Sequence, residues 1–272
     1  MLTPGLAPDM LPLVSVIAIG YDRIDLLKRT ITSFLHTTTY PRNSLELILC
    51  DDGSPASAQR QMRLLPFDLF LMSAENRGIG HNTNKGIRAA TGAYLLHLQD
   101  DWECGGPRDF IDVALDLFQE RSDVALVRLR EPFAGPHESY KMHSGRTAHI
   151  YAHRTEWRST TGEYTYSDTP HIKRRTLHET IGLYREGKPM HKVEMDFCRR
   201  FEKQNVAKAA FIDGYSCFRH TGSAASFNPV HTRRPWRTLV QELPGGRHAL
   251  VRLHEARDAL MRRLMSSGSK VR

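Results

Sequence analysis

The feature that most constrains this chain is the regular alternation of short apolar runs with segments of helical spacing over residues 13–98. Residues 13–19 (LVSVIAI) are rich in β-branched side chains and predict a buried strand. Residues 24–37 place apolar side chains three and four positions apart, which predicts an amphipathic helix. The pattern repeats, with strands predicted at 45–50, 67–73 and 93–98 and helices at 57–65 and 82–91. Such alternation predicts an α/β fold, a mainly parallel sheet flanked by helices.

The second half of the chain is less regular. A helix is predicted at 110–120 and a strand at 124–130, whereas residues 131–175 are rich in His, Tyr, Ser, Thr and Gly with little periodicity. We expect that stretch to be an irregular functional segment. Further helices are predicted at 177–183 and 194–204, and late strands at 206–212 and 215–219.

Polar side chains follow the predicted strands at the point where each strand ends. They are Tyr21-Asp22, Asp51-Asp52, Asn76-Arg77 and Asp100-Asp101. Ligands of open α/β sheets bind outside the carboxyl ends of the strands, so these clusters predict the binding edge.

The adjacent carboxylates of Asp100 and Asp101 repel each other and need a positive charge nearby if they are buried. Mg²⁺ or Mn²⁺ supplies that charge and prefers carboxylate and phosphate oxygens. His220 follows a late apolar stretch and can complete such a site. Two solvated acids in a turn and a structural histidine are the alternatives.

Two further acids, Glu194 and Asp196, stand at the start of a predicted helix, where they cannot share a face. We expect one to face the site, where a carboxylate can act as a general base. The other would cap the helix or pair with Arg199 or Arg200. The loop at 75–80 matches half of a dinucleotide fingerprint, but Thr83 stands in place of its third glycine.

The order of these motifs over residues 12–222 resembles family 2 glycosyltransferases with the GT-A fold. Val14-Ser15-Val16-Ile17 with Tyr21-Asp22-Arg23 is similar to the opening strand and its turn, and Asp51-Asp52-Gly53-Ser54 matches the DDGS motif. The other matching pieces are Asn76-Arg77-Gly78, with Asn84, Gly86, Ala89-Ala90 and Gly92 after it; Leu98-Gln99-Asp100-Asp101 at the DxD position; Glu194-Met195-Asp196-Phe197 with Arg200 at the ED position; and the late His220.

The resemblance implies an inverting, metal-dependent glycosyltransferase that moves a sugar from a nucleoside-diphosphate donor, most commonly a UDP-sugar, to a hydroxyl acceptor. It implies that Asp101 and His220 bind Mn²⁺ or Mg²⁺, with Asp100 near the ribose or the metal. It implies that Glu194 is the catalytic base, with Asp196 in reserve. The remaining donor-binding residues would be Ile19, Tyr21, Asp52, Arg77, Asn84 and Gln99, with Tyr21 and Asp52 at the nucleobase and Arg77 at the diphosphate.

Two positions depart from the family pattern. Gln99 replaces the first acid of DxD, which affects ribose recognition and metal affinity, and Val193 replaces the first acid of the ED pair. Residues 131–190 lie where the family binds acceptors. Seven side chains there either contact a glycan, lipid-linked or small-molecule acceptor or pack the loop. They are Tyr140, His143, Arg146, Tyr151, Trp157, Tyr164 and Tyr166.

The predicted domain organisation is a GT-A domain at 1–228, with a nucleotide-sugar half at 12–102 and an acceptor half at 103–228. A basic, partly helical C-terminal extension follows at 229–272. The extension holds ten Lys or Arg and three Asp or Glu, which is most of the chain's formal net charge of +8. Because the charge is confined there, we expect no nucleic-acid partner. The amphipathic segment at 247–265 could lie on an anionic membrane, pack on its own domain, or form a homodimer.

The four cysteines include no CxxC pair, and no run of apolar residues is long enough to span a bilayer. We therefore expect a cytoplasmic protein, with peripheral contact at the inner face of a membrane as an option for the extension. Two other functions remain open. A nucleotidyltransferase is disfavoured because residues 17–23 hold no Gly/Lys-rich phosphate loop, and a non-catalytic binding module is favoured only by the missing first acid of DxD.

Overall fold

The computed structural model describes residues 11–130, 136–151, 165–204 and 206–222. These residues belong to one compact unit. The predictions for the extension at 229–272, with its helix at 247–265, and for Trp157 and Tyr164 lie outside the described residues.

The first half of the chain follows the predicted alternation closely. A helix follows each of β1, β2 and β3, and the boundaries differ from the expected ones by a few residues. The elements are β1 (Val14–Gly20), α1 (Ile24–Thr37), β2 (Leu45–Asp51), α2 (Ala56–Met62), β3 (Leu69–Met72), α3 (Ile79–Ala89) and β4 (Tyr94–Gln99).

The second half contains the predicted helices and late strands, together with strands that the sequence did not predict. Its elements are β5 (Trp102–Cys104), α4 (Phe110–Glu120), β6 (Val124–Arg128), β7 (His137–Lys141), β8 (Thr147–Tyr151), β9 (His171–Arg174), α5 (Leu177–Ile181), α6 (Met190–Lys203), β10 (Lys208–Ile212) and β11 (Phe218–His220).

The main sheet has nine strands in the order β3-β2-β1-β4-β9-β6-β10-β8-β7. The pairs β3-β2, β2-β1, β1-β4 and β6-β10 are parallel, whereas the pairs that involve β9 or β8 are antiparallel. Seven strands therefore share one direction, and β9 and β8 run against it. A short antiparallel pair, β5 with β11, forms a second sheet beside the end of β4.

The two faces of β1 contact different helices. Val14, Val16 and Ala18 belong to the hydrophobic core that includes α1 and α4. On the other face Ile17 lies against α3, where Gly86 allows the helix backbone to approach the sheet closely. Helices thus cover both faces of the parallel part, which leaves the ends of the strands as the exposed rim.

The expectation of an irregular stretch across 131–175 was wrong for the residues that the structure describes. β7 and β8 form an antiparallel hairpin, and β9 is inserted between β4 and β6. These strands escaped prediction because β7 is a largely exposed edge strand and β9 buries His171 and Lys173. Neither has the apolar pattern from which strands are predicted.

Candidate acceptor residues on the hairpin make structural contacts instead. The Tyr140 hydroxyl donates to Glu120, and Arg146 pairs with Asp109 and donates to the Tyr215 hydroxyl.

No helix in the described part of the chain is long and apolar enough to cross a membrane. All four cysteines are buried and free, as expected for a chain that relies on its hydrophobic core rather than on disulfides.

The close approach of α3 to the sheet yields a stability prediction. In Gly86→Ala the added methyl group would overlap Cγ2 of Ile17 and lie 2.8 Å from Sγ of Cys50. Overpacking of this kind costs about 1–3 kcal/mol. Chemical denaturation should show a loss of that size in the free energy of unfolding.

Gly105→Ala is the matched control, because a methyl group there meets nothing within 4 Å. Equal stability of the two variants would contradict the packing of α3 against β1 and β2.

Candidate active site

The carboxyl ends of β1, β2 and β4 meet at one edge of the sheet, because these three strands are parallel neighbours. Backbone hydrogen bonds extend the pairing past the strands, from Asp52 N to the oxygen of Gly20 (3.2 Å) and from Asp100 N to that of Ile19 (3.0 Å). Asp52 and Asp100 are thereby fixed on either side of the end of β1. The predicted binding edge exists, and it gathers polar groups distant in sequence.

Asp100 and Asp101 are both buried, at 1% and 5% exposure, which excludes the alternative of two solvated acids in a turn. The guanidinium of Arg23 compensates them. It contacts both oxygens of Asp100, with Nε 3.1 Å from Oδ2, and places Nη1 2.9 Å from Oδ2 of Asp101. Burial still raises the pKa of Asp100 to about 7, against the opposing effect of Arg23, and Asp101 adds to the rise. The pair would therefore gain from further positive charge.

Asp101 and His220 have the chemistry of a metal site. Nε2 of His220 lies 3.3 Å from Oδ2 of Asp101, and Oδ1 of Asp101 is buried without a hydrogen-bond partner. The pairing of β11 with β5 sets His220 opposite Trp102, the residue after Asp101. Gly222 is required beside them, because a side chain there would overlap the Asp101 carboxylate. Within the described residues no three His, Cys, Asp or Glu side chains form a metal-binding group, so a cation here would need donor phosphate oxygens as well.

The loop that contains Arg77 is held by Asp52. The Asp52 carboxylate accepts hydrogen bonds from the backbone N–H groups of Arg77 (3.0 Å) and Gly78 (2.9 Å). The Arg77 side chain is exposed. Asp52 thus orders the backbone of the loop, and the Arg77 side chain is accessible.

Asn84 has a structural contact set. Its amide donates to the backbone oxygen of Tyr184 and to Glu186 and accepts from Tyr184 N, at 2.8–3.0 Å. It therefore ties α3 to residues 184–186 rather than presenting a free group to a donor. Tyr21 is half-buried in the turn after β1, where its N–H faces Asp100, and Ile19 pairs with Gln99 at the ends of β1 and β4.

The structure distinguishes the two acids of α6. Asp196 is paired with Arg185 and Arg200, each at 2.9 Å, and the contact with Arg200 was one of the expected alternatives. Glu194 instead accepts hydrogen bonds from Asp168 N (3.1 Å) and the Ser167 hydroxyl (3.3 Å). These two residues precede β9. Since β9 is antiparallel to β4, they lie at the same end of the sheet as Asp100 and Asp101.

Comparison with known proteins identifies the family. The model of glycosyl transferase family 2 matches residues 15–187. The chain belongs to that family. No curated protein sequence matches the chain significantly.

Solved structures show the same fold at low sequence identity. S. aureus TarS (residues 1–349) in complex with UDP-GlcNAc has 17% identity and a TM-score of 0.58 over 85% of this chain. The mannosyltransferase PcManGT from Pyrobaculum calidifontis, in complex with GDP-Man and Mn²⁺, has 18% identity and a TM-score of 0.57 over 92% of this chain and 70% of its own. The match covers 66% of the TarS 1–349 chain and 39% of a longer TarS chain. The predicted GT-A fold is confirmed.

The sequence motifs did not reveal Arg23 as the partner of the acidic pair, although Arg23 belongs to the turn after β1 that resembles the family's opening motif. They also did not reveal Ser167 and Asp168 as the neighbours of Glu194. A signal for Arg23 was present, because a cation after β1 must lie near two acids at the end of β4 if β1 and β4 are parallel neighbours in the sheet. No comparable signal marked residues 167–168.

The contacts of Arg23 predict how the acidic pair responds to its loss. Arg23→Gln leaves two buried carboxylates without their cation, which should lower the free energy of unfolding by about 3 kcal/mol in EDTA. Mn²⁺ should restore more stability to this variant than it adds to the wild type. Chemical denaturation with and without Mn²⁺ measures both effects.

Arg29→Gln is the matched control, because Arg29 is largely exposed and pairs with Glu103 at the surface. A surface pair contributes about 0–1 kcal/mol. Two results would contradict the proposed role of Arg23 in compensating the charge of Asp100 and Asp101. One is an equal loss of stability in the two variants, and the other is no extra gain in stability of Arg23→Gln from Mn²⁺.

Proposed function

We propose that this protein is an inverting, metal-dependent glycosyltransferase that transfers a sugar from a nucleoside-diphosphate donor, with a UDP-sugar first among candidates, to a hydroxyl acceptor. The observation that carries the proposal is the shared edge of the sheet. There the buried pair Asp100–Asp101 with His220 lies at the same end as Glu194, a carboxylate that pairs with no arginine among the residues that the structure describes. Family membership and the nucleotide-sugars bound by the TarS and PcManGT structures support the same reading.

Asp101 and His220 would hold Mn²⁺ or Mg²⁺ through the unpartnered Oδ1 of Asp101 and the imidazole of His220. The metal, when bound, supplies positive charge to the departing diphosphate. Arg77, exposed on the loop that Asp52 orders, would contact the diphosphate as well. Tyr21, just after β1, and Gln99, at the end of β4, would contact the nucleoside.

Glu194 would accept the proton of the acceptor hydroxyl as that oxygen attacks the anomeric carbon of the donor. Its Oε1 is engaged by Ser167 and Asp168, which directs the other carboxylate oxygen to this task. A single displacement of this kind inverts the configuration of the sugar. The acceptor belongs to the class of glycan, lipid-linked or small-molecule hydroxyls.

Donor binding provides the first test. UDP or GDP should raise the melting temperature of the protein in Mn²⁺ or Mg²⁺ and not in EDTA, because the metal links the diphosphate to Asp101. In Asp101→Asn this metal-linked shift should be lost. Differential scanning fluorimetry measures the shift, and an equal shift with and without metal would exclude a metal–diphosphate site.

Turnover provides the second test. Glu194→Gln should lower kcat by about 10²–10⁴-fold, the usual contribution of a general base, while the metal-linked UDP or GDP shift persists. Asp196→Asn is the matched control from the same helix. Because Asp196 is bound to Arg185 and Arg200, its loss should lower stability and leave kcat within a few-fold.

The assay follows nucleoside diphosphate released from UDP- or GDP-sugars and, separately, pyrophosphate. Release of pyrophosphate would favour a nucleotidyltransferase instead. Failure of every donor to turn over would favour a binding module. Full activity of Glu194→Gln would exclude Glu194 as the base.

A further inference from the structure

A cluster of buried titratable side chains lies directly behind Glu194, and the proposed chemistry does not use it. The buried members are His97 on β4, Tyr166 and Asp168 before β9, His171 and Lys173 on β9, and Tyr184 after α5, and half-buried His178 on α5 lies beside Tyr184. Burying polar groups is costly unless they are hydrogen-bonded or paired.

The centre of the cluster is Asp168. Its Oδ1 accepts hydrogen bonds from the hydroxyls of Tyr166 and Tyr184, each at 2.8 Å, and these two hydroxyls also contact each other. Two phenol donors that converge on one carboxylate oxygen fix both the side chain and the backbone that carries it. The aromatic rings of Tyr166 and Tyr184 in turn pack on Phe197 of α6.

Lys173 completes the surroundings of Asp168. Its Nζ is buried without a hydrogen-bond partner and lies 5.5–5.8 Å from the ring centroids of Tyr166, Tyr184 and Phe197. Burial lowers the pKa of Lys173 to about 7, and burial together with the negative charge of Glu194 raises the pKa of Asp168 to about 7.

The segment anchored in this way points two donors at Glu194. Asp168 N lies 3.1 Å and the Ser167 hydroxyl 3.3 Å from Oε1. The Ser167 hydroxyl is itself oriented, because its oxygen accepts from Thr169 N at 3.4 Å. Both donors act on the same carboxylate oxygen, Oε1.

We propose that Ser167 is a positioning residue for Glu194, and that the clamp formed by Tyr166, Tyr184 and Asp168 is its anchor. The inference rests on the proposed role of Glu194 as the base. Two donors to Oε1 fix the rotamer of the carboxylate, so that Oε2 is held toward the acceptor hydroxyl.

The test compares Ser167→Ala with Ser167→Thr. Loss of a hydrogen bond to a charged group should lower kcat about tenfold in Ser167→Ala. The KM for donor and the metal-linked UDP or GDP thermal shift should stay as in the wild type. Ser167→Thr retains the hydroxyl and should recover most of kcat.

Tyr184→Phe probes the anchor and should lower kcat about threefold with the donor shift retained, since one of two donors to Asp168 is lost. Glu202→Gln is the matched control. Glu202 is a buried acid on α6 that accepts hydrogen bonds from the backbone and hydroxyl of Thr165, so it ties the same segment to the same helix without touching Glu194. It should lose stability and keep kcat and the KM for donor.

Wild-type kcat in Ser167→Ala, or no recovery in Ser167→Thr, would overturn the positioning role, and wild-type kcat in Tyr184→Phe would overturn the anchor. Glu194→Gln measured in parallel distinguishes failure of the positioning role of Ser167 from failure of Glu194 as the base. If Glu194→Gln is inactive while Ser167→Ala is fully active, only this inference fails. If Glu194→Gln is fully active, the proposed base fails first.

Discussion

Two adjacent carboxylates buried at the end of a strand set the terms for the rest of this structure. Asp100 and Asp101 repel each other and have lost most of their hydration, so a cation must lie beside them. Arg23 provides that cation from the turn after β1, because β1 is the parallel neighbour of β4 and both strands end at the same edge of the sheet. The buried acidic pair therefore depends on the parallel pairing of β1 with β4.

The site is completed by segments that arrive from the second half of the chain. His220 reaches Asp101 because β11 pairs with β5, immediately after the acidic pair. Glu194 reaches the same end of the sheet because β9 runs against β4, so the residues before β9 return to the carboxyl edge. Asn84 also ties α3 to residues 184–186 through hydrogen bonds with the backbone of Tyr184. The described residues of the second half of the chain are thus attached to the first half through hydrogen bonds as well as through the continuous sheet.

The elements that were predictable share one property, a hydrophobic pattern that matches the period of their secondary structure. β1, β2, β4 and α1 are of this kind, since each buries a clear apolar set. β9 was not predictable, because its buried residues include His171 and Lys173, and the hairpin strand β7 is exposed along nearly its whole length. A buried lysine is stable only through the aromatic rings and the carboxylate that surround it, and those neighbours lie on other elements.

The sequence by itself determined the family, the order of the strands and helices in the first half, and the identity of the polar groups at the binding edge. These follow from local patterns and from motifs a few residues long. Only the tertiary structure decided which of Glu194 and Asp196 pairs with arginine among the described residues, which cation compensates Asp100 and Asp101, and which groups donate to Glu194. Those outcomes depend on contacts between residues far apart in the chain, such as Arg23 with Asp100 and Ser167 with Glu194. The strength of an ion pair or a hydrogen bond depends on the distance between its atoms in the folded protein. The spacing of residues along the chain does not give that distance, because it is set by how the strands pair in the sheet.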